Sequence, residues 1–120
     1  MPKTILLVED EYAALEVLTL LLRQEGYHVL EAGDGEEALV RLEEQRPDLV
    51  LTDYWMPRLD GFGLCERMQE DKRWRDIPVI MMSASSLQGP RPRQVVAFIS
   101  KPLLFLTLTD AVRKALGTEK

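Results

Sequence analysis

The sequence has little of three features that would each mark a specialised class of protein. It holds one cysteine, Cys65, so no disulfide can form within the chain. No apolar run approaches the roughly 20 residues of a membrane-spanning helix, and no signal-peptide pattern opens the chain. The net charge is -5, whereas nucleic acid binding needs a basic surface. We therefore expect a cytoplasmic protein that binds neither membrane nor nucleic acid directly.

What the sequence does contain is typical of one soluble globular domain. Of its 120 residues, 46% are hydrophobic and 29% are charged, which is enough apolar material for a single core. There is no internal repeat and no linker-like stretch, so residues 1–120 are expected to form one domain. Cys65 falls in a stretch with helical spacing, where we expect it to be a small core residue.

Strand-like and helix-like patterns alternate along the chain. Because right-handed crossovers link successive parallel strands, this alternation predicts an α/β fold with a five-stranded parallel sheet. The second strand is the most polar and suits a sheet edge, so we predict the strand order 2-1-3-4-5. The patterns indicate strands at 5–8, 28–31, 49–52, 79–82 and 95–100, and helices at about 11–25, 34–45, 62–70 and 103–116.

Residues that can handle a phosphoryl group follow four of these strands. Glu9 and Asp10 follow the first, Asp53 the third, Ser83 the fourth and Lys101 the fifth. In an open parallel sheet, ligands bind beyond the carboxyl ends of the strands. The sequence therefore predicts one cluster of three carboxylates, a hydroxyl and an ammonium. Such a cluster can hold a divalent cation and a phosphorylated carboxylate.

Four motifs at these strand ends resemble those of bacterial response-regulator receiver domains, and the resemblance covers nearly the whole chain. Each motif alone is weak, but all four occur in order, each after a hydrophobic strand. The resemblance implies a flavodoxin-like, doubly wound fold and a receiver domain of a two-component signalling pathway. The motifs read Leu7-Val8-Glu9-Asp10, Asp53-Tyr54-Trp55-Met56-Pro57 with Asp60-Gly61, Ser83-Ala84 and Lys101-Pro102.

The resemblance also implies a role for each residue of the cluster. Asp53 is the expected phosphoacceptor, since a carboxylate can attack phosphorus and form an aspartyl phosphate. Asp10 and Asp53 are expected to bind Mg²⁺ directly. Glu9 is expected to act mainly through water, and the backbone carbonyl of Trp55 is a further expected ligand. Lys101 is expected to pair with Asp53 and later with a phosphoryl oxygen.

Signal transfer is expected, from the same resemblance, to involve further side chains. Ser83 is expected to donate its hydroxyl to the phosphoryl group and move towards it, and Phe98 then to swing inward. The Lys101-Pro102 peptide resembles a cis peptide of the family, which makes Pro102 a cis candidate. The expected donor is a phosphohistidine on a sensor histidine kinase or a phosphotransfer protein. The sequence does not identify the output partner.

Each residue of the cluster also has a plainer interpretation. Asp10 could cap the following helix, and Glu9 could be a solvated loop residue. Asp53 could be a turn residue, Ser83 an ordinary polar residue at a strand end, and Lys101 a surface charge. These interpretations would have to hold independently at four strand ends that one fold brings together, so the site is the favoured hypothesis.

Three residues around the cluster leave two interpretations open. Trp55 either shields the site from water or packs on the surface as a loop aromatic. Gly61 either adopts a positive φ or simply begins a helix. Phe98 is either a switch residue or a plain core residue.

The segment between Ser83 and the last strand departs from the family pattern. Residues 84–96 number thirteen and include Gly89, Pro90 and Pro92, whereas a helix of ~11 residues with loops of ~4 would need more. We expect the fourth helix of the family to be missing or reduced to a turn, and the segment to be irregular and mobile. The side of the sheet beside Phe98 and the last helix should then be more open. Either a partner or a second copy of the chain in a homodimer fills it, which we favour, or the segment itself covers it.

Three functions fit these residues, in decreasing order of support. The first is a phosphoacceptor receiver domain that takes a phosphoryl group onto Asp53 and is not an enzyme beyond its own phosphorylation and hydrolysis. The second is a protein-interaction module with the same fold that works without phosphorylation, which the broken segment after Ser83 favours. The third is a phosphatase with an aspartyl-phosphate intermediate, but such enzymes usually carry a second Asp where this chain has Trp55.

Overall fold

The computed structural model describes residues 2–84 and 91–117, which form a parallel sheet with helices on both faces. The strands lie in the order β2-β1-β3-β4-β5, so the predicted fold and strand order are confirmed. The strands are β1 (Thr4–Val8), β2 (His28–Ala32), β3 (Leu49–Asp53), β4 (Val79–Ser83) and β5 (Val95–Ser100). The helices are α1 (Tyr12–Gln24), α2 (Gly35–Glu44), α3 (Gly61–Gln69) and α4 (Phe105–Leu116). None of these helices combines the length and the apolar character that crossing a membrane requires.

Two apolar layers, one on each face of the sheet, form the core. Successive side chains of β1 alternate between the layers, because the side chains of a strand point to opposite faces. Leu6 and Val8 pack with α2 and α3, whereas Ile5 and Leu7 pack with α1 and α4. β1, β3 and β4 are buried along their whole length. β2 mixes exposed and buried positions, which fits its predicted place at the edge.

Cys65 lies in α3, within the apolar layer that α2 and α3 share. It is fully buried, and burial raises the pKa of its thiol to about 12. The thiol therefore stays neutral at physiological pH and behaves as a small apolar group. The prediction that Cys65 is a core residue is confirmed.

The helix boundaries near the site follow from their capping residues. Asp34 accepts a hydrogen bond of 2.8 Å from the Glu37 backbone N–H and so caps α2. Glu37 in turn accepts a hydrogen bond of 2.7 Å from the Gly33 backbone N–H. The capping residue of α1 is Glu11, and its side chain makes no capping hydrogen bond. The interpretation of Asp10 as the cap of this helix is therefore wrong.

Between β4 and β5 the described residues contain no helix, in agreement with a missing or reduced fourth helix. Residues 85–90, which include Gly89 and Pro90, lie outside the described residues, and the mobility expected there stays a prediction. Val95 and Val96 already belong to β5. The strand predicted at 95–100 is therefore confirmed, and residues 95 and 96 do not belong to the irregular segment expected over 84–96.

The beginning of β5 is fixed to the loop that follows α3. Gln94 is buried, and its side-chain amide donates hydrogen bonds of 2.7 Å to the backbone carbonyls of Trp74 and Ile77. Its side-chain carbonyl accepts another of 2.7 Å from Gln69. Val96 then bulges out of the pairing between β4 and β5. β5 is thus anchored just before its first residue and irregular directly after it.

Candidate functional site

The register of the sheet brings the predicted site residues to one edge. The last pair between β1 and β3 is Val8 with Thr52, so the residues that follow them, Glu9 and Asp53, also lie side by side. The pairing of β3, β4 and β5 places Ser83 and Lys101 at the same edge. Asp10 follows Glu9 at the start of the loop before α1. All five residues therefore meet at the carboxyl ends of the strands.

The three carboxylates form one cluster. One carboxylate oxygen from each of Glu9, Asp10 and Asp53 lies within 4.8 Å of the other two. Glu9 and Asp53 are buried, with 1% and 7% of their surface exposed, whereas Asp10 is exposed. The interpretation of Glu9 as a solvated loop residue is therefore wrong. The cluster has a closed side at Glu9 and a side facing solvent at Asp10.

Lys101 bridges the two buried carboxylates. Its Nζ lies 3.1 Å from Glu9 Oε1 and 3.2 Å from Asp53 Oδ2, so Lys101 is not an isolated surface charge. The contact with Asp53 was expected from the sequence, and the contact with Glu9 was not. The Lys101 backbone N–H donates a hydrogen bond of 2.8 Å to the Ser83 carbonyl oxygen. Ser83 is itself buried, and the peptide between Lys101 and Pro102 is cis.

Burial and mutual repulsion change the titration of this cluster. Burial raises the pKa of Asp53, and the charge of Asp10 adds to the rise, while Lys101 opposes it. Burial also raises the pKa of Glu9. A hydrogen bond of 3.2 Å from the Glu11 backbone N–H to the Glu9 carboxylate lowers this pKa, but burial outweighs it. For Lys101, burial favours a lower pKa, but its contacts with Glu9 and Asp53 outweigh burial and raise the pKa. The cluster carries more negative charge than Lys101 alone can neutralise.

The donor set of the cluster suits a hard divalent cation. Such cations bind carboxylate and carbonyl oxygens, and Mg²⁺ keeps several of its waters when it binds a protein. Glu9, Asp10 and Asp53 offer three oxygens close enough to share one ion, and Asp10 leaves the cluster accessible from solvent. A cation here would also offset the repulsion between the carboxylates. The residues present therefore fit a metal site.

A tight loop connects Asp53 to α3. The Tyr54 backbone carbonyl accepts a hydrogen bond of 2.7 Å from the Gly61 N–H, which closes the loop. Gly61 begins α3 without a positive φ, so the second of its two interpretations is correct. A Cβ at Gly61 would lie 2.9 Å from Met81 Sδ and 3.0 Å from the Asp53 backbone oxygen. Glycine is needed here because the start of α3 passes so close to the end of β3.

The exposure of one residue in this loop and the backbone conformation of another could not be predicted from the sequence. Trp55 is 66% exposed, which fits a surface aromatic and not a packed cover over the site. Arg58 has a φ of 70°, in the left-handed region that favours glycine. The sequence signal nearby is Pro57, which marks a turn but does not say which residue takes the left-handed conformation.

A chain of aromatic rings links the loop to β5. The Tyr54 and Phe62 rings meet edge to face with 5.0 Å between centroids, and Phe62 and Phe98 meet with 6.2 Å. The Arg91 guanidinium lies over the Phe98 ring, with Cζ 4.2 Å from its centroid. Phe98 is only half-buried. It packs against the apolar layer that α2 and α3 share, so it lies at the margin of the core, and its role as a switch stays a prediction.

The fold and the site together define the class of this protein. A doubly wound sheet carries an acidic cluster and a bridging lysine at its carboxyl edge. The chain belongs to the response regulator receiver domain family, whose sequence model matches residues 5–113. The family predicted from the four motifs is confirmed, and it places the chain in two-component signalling.

The curated relatives are signalling and regulatory proteins. The polar-differentiation response regulator DivK of Brucella anthropi is 31% identical over 121 residues, and the alignment covers 98% of each chain. A probable transcriptional regulator, ycf27 of Cyanophora paradoxa, is 43% identical over 82 residues. That alignment covers 68% of this chain but 33% of the relative, so this chain spans about a third of the regulator's length.

Solved structures of receiver domains share the whole fold. The receiver domain of a sensor histidine kinase from Pseudomonas aeruginosa, determined with a magnesium ion coordinated in its active-site cleft, is 30% identical. It superposes with a TM-score of 0.87 and covers 98% of this chain and 99% of its own. The chemotaxis protein CheY4 of Vibrio cholerae also superposes with a TM-score of 0.87, but at 24% identity it shows the fold alone.

Proposed function

We propose that this domain is a phosphoacceptor that takes a phosphoryl group from a phosphohistidine onto Asp53. The observation that carries the proposal is the position of Lys101, which bridges Glu9 and Asp53 at the edge of the sheet. A buried carboxylate beside a fixed ammonium is suited to phosphoryl transfer, in which charge on the phosphoryl oxygens needs neutralising. The proposed donor is a sensor histidine kinase or a phosphotransfer protein.

The proposed reaction is a displacement at phosphorus. An Asp53 carboxylate oxygen attacks the phosphorus of the donor, and the new P–O bond forms as the P–N bond to histidine breaks. The imidazole leaves with the electron pair of that bond and takes up a proton from solvent. In the product, Lys101 Nζ contacts one phosphoryl oxygen and the Ser83 hydroxyl donates to another. Both contacts reduce the charge that the phosphoryl group brings into the site.

The acidic cluster would hold the Mg²⁺ ion that phosphoryl transfer uses. Asp10 and Asp53 would bind it directly, Glu9 mainly through water, and the backbone carbonyl of Trp55 would add a ligand. When bound, Mg²⁺ neutralises charge on the phosphoryl oxygens. Support for this ion comes from the 4.8 Å spacing of the carboxylate oxygens and from the magnesium ion in the related kinase receiver domain.

Intact-mass measurement tests the proposed function. The chain, incubated with a small acyl-phosphate donor and Mg²⁺, should gain one phosphoryl group that is lost again in acid. A receiver domain of known activity, treated in parallel, controls for the donor. No gain in mass would favour the alternative function, a protein-interaction module with this fold that works without phosphorylation.

An independent phosphatase activity has less support. An aspartyl-phosphate phosphatase usually needs a general acid two residues after its nucleophile, and here that residue is the exposed Trp55. An indole N–H does not act as an acid at neutral pH. We therefore propose a signalling module whose only catalysis is the phosphorylation and hydrolysis of its own Asp53.

Replacing Asp10 by Ala is expected to weaken Mg²⁺ binding about tenfold or more, because a direct carboxylate ligand is lost. Titration with Mg²⁺, followed by tryptophan fluorescence, measures the affinity. The chain has a second tryptophan, Trp74, so the variant Trp55→Phe shows how much of the fluorescence change comes from Trp55. Asp76→Ala, an exposed carboxylate before β4, is the matched control and should bind Mg²⁺ normally. Equal affinity in Asp10→Ala and the wild-type chain would contradict the assignment.

We propose the surface between β5 and α4 as the output face. It forms a groove of about 830 Å³, lined by residues of both elements that include Val96 and Leu106. These two side chains are 54% and 75% exposed, and a bound partner would remove them from water. The groove therefore offers a surface to a partner protein or to a second copy of the chain.

Phosphorylation is expected to shift the chain from monomer to dimer through this groove, as measured by light scattering with and without donor and Mg²⁺. Leu106→Asp should prevent the shift, because a charge in the apolar contact is costly to bury. Its mass gain on phosphorylation should stay normal. Leu20→Asp, at a position of α1 that is 59% exposed, is the control. A monomer in both states would contradict the homodimer.

A further inference from the structure

An ion pair joins the loop between β3 and α3 to the start of α2. The Arg58 guanidinium contacts the Asp34 carboxylate directly, and Arg58 Nε lies 3.9 Å from Glu36 Oε1. The Asp34 side chain is 17% exposed, and it is already held in place because it caps α2. Asp34 is therefore a fixed point to which Arg58 ties the loop.

The backbone around Arg58 is in an unfavourable conformation that its surroundings hold. A φ of 70° is disfavoured for any residue with a Cβ and persists where other contacts fix it. The next residue, Leu59, packs against the starts of two helices. A Cβ at Gly35 would lie 2.7 Å from the Leu59 backbone oxygen, and one at Gly63 would lie 2.7 Å from Leu59 Cδ1. The ion pair and this packing act on the same short stretch of loop.

We propose that Arg58 and Asp34 are positioning residues, whose ion pair holds the loop after Asp53 in the conformation that serves the metal site. The loop carries Trp55, whose backbone carbonyl is the proposed ligand contributed by the loop. It is closed at its other end by the hydrogen bond between Gly61 and Tyr54. Without the ion pair, the strained residue can relax and the carbonyl loses its fixed position. This inference rests on the proposed function, because it concerns the same metal site.

The alternative explanation is that both residues act only through their charge. Charge alone predicts effects of opposite sign, because removing the Arg58 cation strengthens Mg²⁺ binding and removing the Asp34 anion weakens it. Loss of positioning predicts weaker binding in both cases. The direction of the two shifts therefore separates the explanations.

The test is the Mg²⁺ dissociation constant of Arg58→Met, Asp34→Asn and the double variant, measured without any phosphodonor. Asn retains the capping of α2, so Asp34→Asn removes the charge and keeps the helix start. We expect each single variant to bind Mg²⁺ about two- to fivefold more weakly, the range of an exposed ion pair. The double variant should be no weaker than the weaker single variant, since both changes remove one interaction. Arg58→Lys, which keeps the charge and the strained backbone, should recover most of the affinity.

Glu36→Gln is the matched control, because it removes a neighbouring negative charge that makes only a long contact with Arg58. It should bind Mg²⁺ as the wild-type chain does, and thermal unfolding without Mg²⁺ should show all variants folded. Shifts of opposite sign in the two single variants, multiplying effects in the double variant, or a Glu36→Gln effect as large as that of Asp34→Asn would each overturn the inference. A wild-type chain that binds Mg²⁺ but gains no phosphoryl mass would overturn the proposed function alone.

Discussion

Replacing Asp53 by Asn is expected to abolish the gain of a phosphoryl group completely. An amide has the size of the carboxylate but is not a nucleophile towards phosphorus at neutral pH, so no aspartyl phosphate can form. Asp53 lies at the end of a central strand, 3.2 Å from Lys101 Nζ and within the acidic cluster. Intact mass after treatment with an acyl-phosphate donor and Mg²⁺ measures the effect directly.

The matched control for this prediction is Asp110→Asn. Asp110 is an exposed carboxylate on α4, paired with Lys114 and outside the cluster, so its loss should leave the mass gain unchanged. Circular dichroism should show both variants folded like the wild-type chain. A full mass gain in Asp53→Asn would place the phosphoacceptor on another residue and remove the basis of the proposed mechanism.

Replacing Lys101 by Ala is expected to affect both chemistry and stability. Phosphorylation should slow about 100-fold or more, the usual effect of removing one group that stabilises charge in a transition state. The free energy of unfolding should fall by about 1–3 kcal/mol, because Glu9 keeps a buried charge without its cation. The rate of mass gain and a urea unfolding curve, taken on the same preparation, measure the two effects.

Lys114→Ala is the control for the loss of a lysine. Lys114 makes an exposed ion pair of 3.4 Å with Asp110 on α4, and such pairs contribute little to stability. Its replacement should change neither the phosphorylation rate nor the unfolding curve appreciably. If Lys101→Ala behaves like this control in both measurements, the bridging contact with Glu9 and Asp53 has no functional role.

The position of the site could be predicted because it depends on strand ends. Apolar runs mark where β1, β3, β4 and β5 finish, and parallel pairing then brings the next residues together whatever their side chains. Glu9 shows the limit of that reasoning. Its almost complete burial and its contact with Lys101 depend on how the side chains pack around the strand ends, which periodicity does not describe.

The loop and the start of β5 could not be predicted for a similar reason. Arg58 adopts a left-handed conformation, against the local preference of an arginine, directly before Leu59, which packs against the starts of α2 and α3. Gln94 looks like a polar loop residue in the sequence. In the fold it is buried, and its side chain makes three hydrogen bonds to residues that are distant along the chain. Both cases are tertiary effects that override local sequence preference.

The anchoring of Gln94 determines what kind of movement β5 can make. Sliding the strand along β4 would break the three hydrogen bonds of Gln94 together, at about 1 kcal/mol or more for each. Tilting the strand about the bulge at Val96 breaks none of them. Beyond the bulge, β5 is paired with β4 from Ala97 to Ser100, and the Lys101 N–H donates a hydrogen bond to the Ser83 carbonyl oxygen, so the far end of the strand is held as well. A displacement of Lys101 at the site is therefore expected to move the ends of β4 and β5 together, and the unpaired Val96 is the place where β5 can bend.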